Sequence, residues 1–349
     1  MLEYKPIQFP ADEFPHQNII EWWYFNGQLF DANGLHYDFM DCLFKANPKK
    51  VKIPMLRLPL NVVYFSHSLL SDVTRQKFYN EISPLVFLSK DSFQKDLFFA
   101  NYTNPTLSGY FNYEIEKIDE QTWHIKTQNF DLTLKNKRPP LLVGGKGYLA
   151  MKENTTYYYS LTDMETTGEI IIDGQRIKVT GKSWMDHQWA DAVYSNFTWS
   201  WFSLQLKNQM EIVCFRFESK SGNYDLATVI MPDGSQKTFT DLRLEALGEK
   251  WESKKTGAVY PLSWKIEIPS LHLKLETKPY VHEQEMIFGL INYWEGGLNV
   301  AGELSGQAIS GQGFMELVGY PSKKSKLNYY QKMIRHKIKN DLKHFLNKK

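Results

Sequence analysis

The chain has 349 residues, a formal net charge of +2 and 15% aromatic residues, among them 10 Trp, 20 Tyr and 22 Phe. A charge so near zero excludes a wholesale nucleic-acid binder, and the length suits two domains with a sizeable interior. The two cysteines, Cys42 and Cys214, lie far apart without CxxC spacing, which excludes a disulfide framework and gives no support to a zinc knuckle.

No secretory leader is read at the start, because Asp12, Glu13 and Glu21 come before any long apolar run. No stretch of about 18 uncharged apolar residues is present to cross a membrane. The chain therefore reads as soluble and cytoplasmic, with no nucleic-acid partner; nothing in it specifies an oligomeric state.

Taken in order, the segments alternate in polarity and break at Gly, Asn and Asp. Glu21 to Leu29 runs into Asp31-Ala-Asn-Gly34, a hairpin signal, and Leu35 to Phe44 returns. Gly144-Gly145-Lys-Gly147 marks a loop. Gly168 to Ile172, the turn Asp173-Gly174 and Arg176 to Gly181 predict a second hairpin. Thr228 to Met231, Asp233-Gly234 and Gln236 to Thr240 predict a third. Leu262 to Ile268, Leu271 to Thr277, Tyr293 to Val300 and Gln307 to Leu317 continue the pattern.

No run of helical period precedes residue 320, so the body is all-β, and many hairpin-linked strands suggest closed barrels or sandwiches. The irregular stretch from Asp191 to Phe197 puts a domain boundary near 194, giving units 1–194 and 195–320. Glu21-Trp-Trp-Tyr-Phe-Asn-Gly27 is echoed by Asn292-Tyr-Trp294-Glu295-Gly-Gly297, a hint of two similar units.

The tail from 321 to 349 differs. It carries ten Lys or Arg against one acid, Asp341. Leu327, Tyr330, Ile334, Ile338, Leu342 and Phe345 fall at spacings of three and four, which predicts a basic amphipathic helix. Such a helix docks by its apolar stripe on the β body, or lies on an anionic membrane surface through 322–349.

Several chemistries lack their motifs. GxSxG, GxGxxG and GxxxxGK are absent, so neither a hydrolase elbow nor a nucleotide cofactor is supported. His16, His67 and His187 leave a metal site geometrically open, but without clustered spacing no metal is assigned.

The chemistry-bearing stretch is Gly181-Lys-Ser-Trp184-Met-Asp186-His187-Gln-Trp189, an acid and an imidazole between two tryptophans. Glu21, followed by Trp22 and Trp23, is a second carboxylate among aromatics. Apolar surroundings disfavour a charged carboxylate, so both acids are expected to have raised pKa values and to hold a proton near neutrality. On strands, Glu21 shares a face with Trp23, Asp186 with Trp184, and His187 with Trp189. Trp199, Trp201, Ser203 and Gln205 form another face, and Tyr293 with Glu295 repeats the theme. Inside a barrel these groups would line an apolar cavity with few polar handles. The plainer reading is that the tryptophans are core and the buried acids only tie the fold together.

These residues resemble a known family. Pro15-His16-Gln-Asn-Ile-Ile-Glu21-Trp22-Trp23-Tyr24, Tyr157-Tyr158-Tyr159-Ser160, the Trp184–Trp189 stretch, Trp199-Ser-Trp201-Phe-Ser-Leu-Gln205 and Tyr293-Trp294-Glu295-Gly296 occur in the order seen in AttH-like proteins, grouped with carotenoid 1,2-hydratases (hydroxyneurosporene synthases). The resemblance runs from about residue 10 to Tyr320. It implies two tandem lipocalin-like antiparallel β-barrels with a hydrophobic cavity in or between them. In the hydratases an Asp matching Asp186 is the suspected proton donor, while Trp184 stands where they tend to have Tyr.

The leading expectation is an enzyme that hydrates, isomerises or cyclises a hydrophobic isoprenoid- or polyketide-like molecule without a cofactor. Asp186 is its proton donor, His187 or Tyr158 orients or receives water, and Glu21 is a further candidate acid. Trp22, Trp23, Trp184, Trp189, Trp199, Trp201, Gln205, Tyr293 and Glu295 are the expected ligand contacts. The alternatives are a lipocalin-like carrier of a lipid or pigment, and a hydrolase, which rests on a family label alone.

Overall fold

Short alternating segments punctuated by turn residues suit pleated strands, and strands make up the computed structural model. It describes residues 4–50, 60–83, 85–106, 109–151, 154–192, 198–219, 222–288 and 291–321. Among these the helical turns are the 3-10 segments Ala11–Glu13, Val143–Gly145 and Pro269–Leu271. The stretch 193–197 at the expected boundary and the residues 322–349 of the expected basic helix lie outside the described residues. No described helix is long and apolar enough to cross a membrane.

Two large antiparallel sheets divide the chain. The first takes its strands from the Ile20–Asp31 to the Gln175–Ala190 segments, which pair with each other at its centre. Ile20–Asp31 pairs on its other side with His36–Ala46, and Gln175–Ala190 with Asn154–Ile172. The Asp173-Gly174 turn joining the last two has positive φ at both residues, 51° and 81°, the backbone that a two-residue hairpin needs to match strand twist. The second sheet is centred on Thr198–Leu206, Gln307–Val318 and Ile291–Leu304.

Each sheet curls on itself. In the first, Tyr113 near one end of the strand order donates its hydroxyl to Glu81 on the strand at the other end. Trp23, Phe25, Phe39, Trp123 and Phe130, drawn from strands along the whole sheet, consequently form one core together with Phe98. In the second, Arg216 reaches the Leu244 carbonyl at 3.0 Å across the curl, and Phe202 meets Trp264 edge-on at 5.7 Å.

A third core lies between the sheets, where their outer faces meet. Tyr24, Met40, Cys42, Leu69 and Trp184 from the first pack against Trp201, Val213, Phe215, Tyr293 and Phe314 from the second. Amide side chains lock this junction. Gln28 donates to the Leu298 and Gly313 carbonyls at 3.2 and 3.1 Å, and Gln205 to those of Thr162 and Ser183 at 2.7 and 3.0 Å.

Gly297 allows the close approach: a Cβ there would lie 2.3 Å from Oδ2 of buried Asp38. Gly297→Ala is expected to destabilise by about 1–3 kcal/mol through overpacking, seen as a lower urea midpoint. Gly248→Ala, whose new methyl meets nothing within 4 Å, is expected to stay within about 0.5 kcal/mol.

Candidate active site

Because side chains alternate along a strand, Gln175–Ala190 sends the two members of its Asp-His pair in opposite directions. Asp186 and Trp184 face the junction between the sheets; His187 and Trp189 face the interior of the first. The expected single site is thereby split into two clusters.

On the junction side, the Asp186 carboxylate accepts from the Tyr158 hydroxyl at 2.5 Å, the Ser160 hydroxyl at 2.5 Å and the Trp184 indole at 2.6 Å. Tyr158 in turn accepts from the Trp201 indole at 2.9 Å, so a chain of donors runs from the second sheet to the acid. Burial raises the Asp186 pKa to about 7, outweighing the three hydrogen bonds, and the negative charge of Glu316 adds to the rise. The group sits at the boundary between acid and carboxylate at neutral pH.

Around it stand Tyr24, whose hydroxyl donates to Glu295 at 2.7 Å, and Tyr293, hydrogen-bonded to His67 Nδ1 at 2.6 Å. Trp199 donates its indole N–H to Glu316. Trp22, Trp199, Phe44, Phe217 and Tyr224 are half-buried against this core and form its partly exposed aromatic margin. Two buried polar atoms facing this junction lack a protein partner: Asn26 Nδ2 and Thr162 Oγ1. Polar atoms in such a state within an apolar junction mark where a substrate oxygen or a water would be held.

On the interior side, Glu21 is fully buried and accepts four donors. They are the His16 backbone N–H at 2.8 Å, His16 Nδ1 at 2.7 Å, His187 Nε2 at 3.0 Å and Lys45 Nζ at 3.0 Å. The expectation of a raised pKa is corrected here: burial alone would raise it, but the hydrogen bonds and charges of His16 and His187 prevail and bring it down to about 2. Glu21 is a permanent carboxylate, not a proton donor. Burial lowers the pKa of His187, against the pull of Glu21. With Nε2–H given to Glu21, its Nδ1 faces the Tyr159 hydroxyl at 3.3 Å.

Trp189 stacks on His16 at 4.0 Å and Trp23 on His187 at 4.9 Å, so these two tryptophans wall the ion cluster and do not reach Asp186. His16, Glu21 and His187 do bring three potential metal-ligand atoms within 4.8 Å of one another. The Lys45 ammonium on the same carboxylate opposes a cation there, and the four donors already complete the cluster.

Of the expected site residues, Asp186, Tyr158, Trp22, Trp184, Trp199, Trp201, Tyr293 and Glu295 thus belong to the junction, and Trp23, Trp189, His187 and Glu21 do not. Gln205 lies at the junction as a clamp between backbones. Sequence reasoning passed over Glu316 and Ser160. Glu316 is legible in retrospect as a carboxylate interrupting Phe314-Met-Glu316-Leu-Val318, an otherwise apolar strand end.

A model of the family described as AttH-like matches residues 1–320. The chain belongs to the AttH-like family. It is similar in fold to AttH of Nitrosomonas europaea, with a TM-score of 0.73 at 22% identity over 91% of this chain and 98% of that one. Kievitone hydratase of Nectria haematococca gives 0.72 at 16% identity, covering 91% and 94% of the respective chains. At these identities the likeness is one of fold. In sequence the chain is 26% identical over 213 residues to the dehydratase AsqC of Emericella nidulans, an alignment spanning 54% of this chain and 58% of that protein. Less than two thirds of that relative is matched. The all-β AttH-like architecture accounts for where the site lies: two curled sheets can bring side chains from both halves of the chain to one internal boundary.

Proposed function

We propose that this AttH-like protein is an enzyme that adds water to, or removes it from, a hydrophobic isoprenoid- or polyketide-like small molecule. The observation that carries the reading is Asp186, a fully enclosed acid poised near neutrality and held by Tyr158, Ser160 and Trp184 in an aromatic junction. Protonating an alkene requires an acid that is neutral when substrate arrives, aromatic faces for the developing cation, and few waters. The junction supplies the first two, with Trp184 and Trp201 beside the acid. The relatives called a dehydratase and a kievitone hydratase support the same reaction class, and no cofactor is required by it.

In this reading Asp186 gives its proton to one alkene carbon while water attacks the other, and elimination is the reverse. Tyr158, bridging Trp201 and Asp186, fixes the carboxyl and carries the second sheet's position to it. Glu21 and His187 hold the strand pair from the opposite face, since Glu21 lies opposite Trp189, and Tyr24 opposite Asp186, in the register.

The test is incubation with prenylated phenols and β-hydroxy polyketide esters in H2(18)O. Incorporation of heavy oxygen into an alkene, or loss of water from an alcohol, is expected. Stoichiometric binding with no mass change in any probe would leave a carrier instead.

A further inference from the structure

Glu295 and Glu316 stand directly opposite each other on the neighbouring strands Ile291–Leu304 and Gln307–Val318, so their side chains share one face, and the charge of Glu316 adds to the burial that favours the protonated form of Glu295. Two carboxylates repel and neither can donate, so such a pair persists only when one proton is held between them. The remaining contacts fit that state. Glu295 is fully buried; its Oε1 accepts from Tyr24 and its Oε2 has no partner, leaving that atom for the shared proton. Glu316 is half-buried and accepts from the Trp199 indole.

The pair faces Asp186 from the other sheet. Trp201 lies opposite Glu316 in the register and donates to Tyr158, which donates to Asp186; Tyr24, the partner of Glu295, lies opposite Asp186. Asn26, one pleat along from Tyr24 on the same face, presents a buried amide N–H without an acceptor. It is an independent sign of a ligand atom in this junction, because a buried donor is rarely left unpaired.

We infer that the Glu295–Glu316 pair is the second acid–base element of this site: it takes the proton from the water that adds to the substrate, while Asp186 protonates the carbon. This rests on the hydration–elimination reading above. The step balances. The alkene π electrons form the new C–H bond with the Asp186 proton, the water oxygen forms the C–O bond, and one water proton passes to the ionised member of the pair. The pair then carries two protons and Asp186 none. Glu316, being the half-buried member, returns the extra proton to solvent, and Asp186 regains one through the hydroxyls of Tyr158 and Ser160 that hold it. In elimination every transfer reverses.

The experiment uses the full chain and the variants Glu316→Gln and Glu295→Gln, in which an amide replaces one carboxyl and can still bridge to its partner. Infrared spectra of protein labelled with 13C-carboxyl glutamate should show a deuterium-sensitive protonated carboxyl band at pH 7 that is weaker in both variants, Glu13 and Glu211 accounting for the rest. On any probe turned over by the parent, kcat/KM should fall about 10²-fold or more in each variant, with ligand Kd unchanged. The acid limb of the parent pH profile should also vanish. The other titratable groups facing the pair, Asp186, Tyr24, Tyr158, Tyr293, His67 and Cys42, stay in place in both variants. Turnover at the parent rate in both variants would overturn the pair's role and leave the hydratase reading standing. A band of parent intensity in both variants would overturn the shared proton. A parent that turns over no probe would remove the reading and the pair's part in it together, and a band weakened by the variants would distinguish that outcome from a wrongly assigned pair.

Discussion

Asp186→Asn is expected to lower kcat/KM by about 10²–10⁴-fold while leaving the fold and ligand affinity intact. The amide is isosteric; it can still accept from Ser160 and Trp184, and the Tyr158 hydroxyl can turn to accept from its NH2. What is lost is the transferable proton. Rates measured with saturating and limiting probe separate the outcomes: an unchanged KM with a collapsed kcat places the proton in the chemical step, and parent-like turnover removes Asp186 from it.

The same acid sets a pH dependence. Its folded pKa, about 7, lies above the ordinary 3.8, so the fold prefers the neutral form. Its contribution to stability is full below about 3.8 and is lost as pH rises towards 7. Activity that needs the neutral acid should likewise fall above about pH 7, and this high-pH limb should disappear in Asp186→Asn.

The second large effect is on stability. Glu21→Gln removes the only anion among Glu21's own contacts with Lys45 and His187, leaving a buried ammonium facing an amide. Breaking one side of a buried ion cluster costs about 3–5 kcal/mol, so urea melts at pH 7 should show a midpoint shift of that size. Since the folded pKa of Glu21 is about 2 against an ordinary 4.5, its contribution is present above pH 4.5 and lost as pH falls through 2. The parent should lose roughly 3 kcal/mol across that window in excess of the variant. Equal acid sensitivity in the two proteins would show that the cluster does not hold the fold.

Strand existence was readable because turn chemistry is local. Asp173-Gly174 requires positive φ, so the hairpin around it could be drawn from two residues and the alternation beside them. Faces were readable for the same reason: a period of two separates Asp186 from His187 whatever the rest of the chain does. The aromatic motifs also carried the family resemblance, since they occur in register along most of the body.

Proton energetics was not readable in that way. Glu21 and Asp186 look alike in sequence, each a carboxylate flanked by tryptophan, yet one is pulled down to about 2 and the other pushed up to about 7. The difference lies in partners that only the fold brings to each carboxyl. Glu21 meets His16 and His187, 5 and 166 residues away, whereas Asp186 meets hydroxyls, an indole and the charge of Glu316. Burial penalises both; only the imidazoles donating to Glu21 reverse the penalty.

By itself, then, the sequence determined an all-β chain of AttH-like type, with aromatic strands whose acids and imidazoles fall on known faces. Which faces meet was decided by tertiary structure alone. The curl of each sheet encloses one face as core and leaves the other to be covered, and the packing of the two outer faces brings Asp186 to within electrostatic reach of Glu316. A pleat fixes direction over a few residues, but the long-range pairing of Thr198–Leu206 with Gln307–Val318 fixes what lies in that direction.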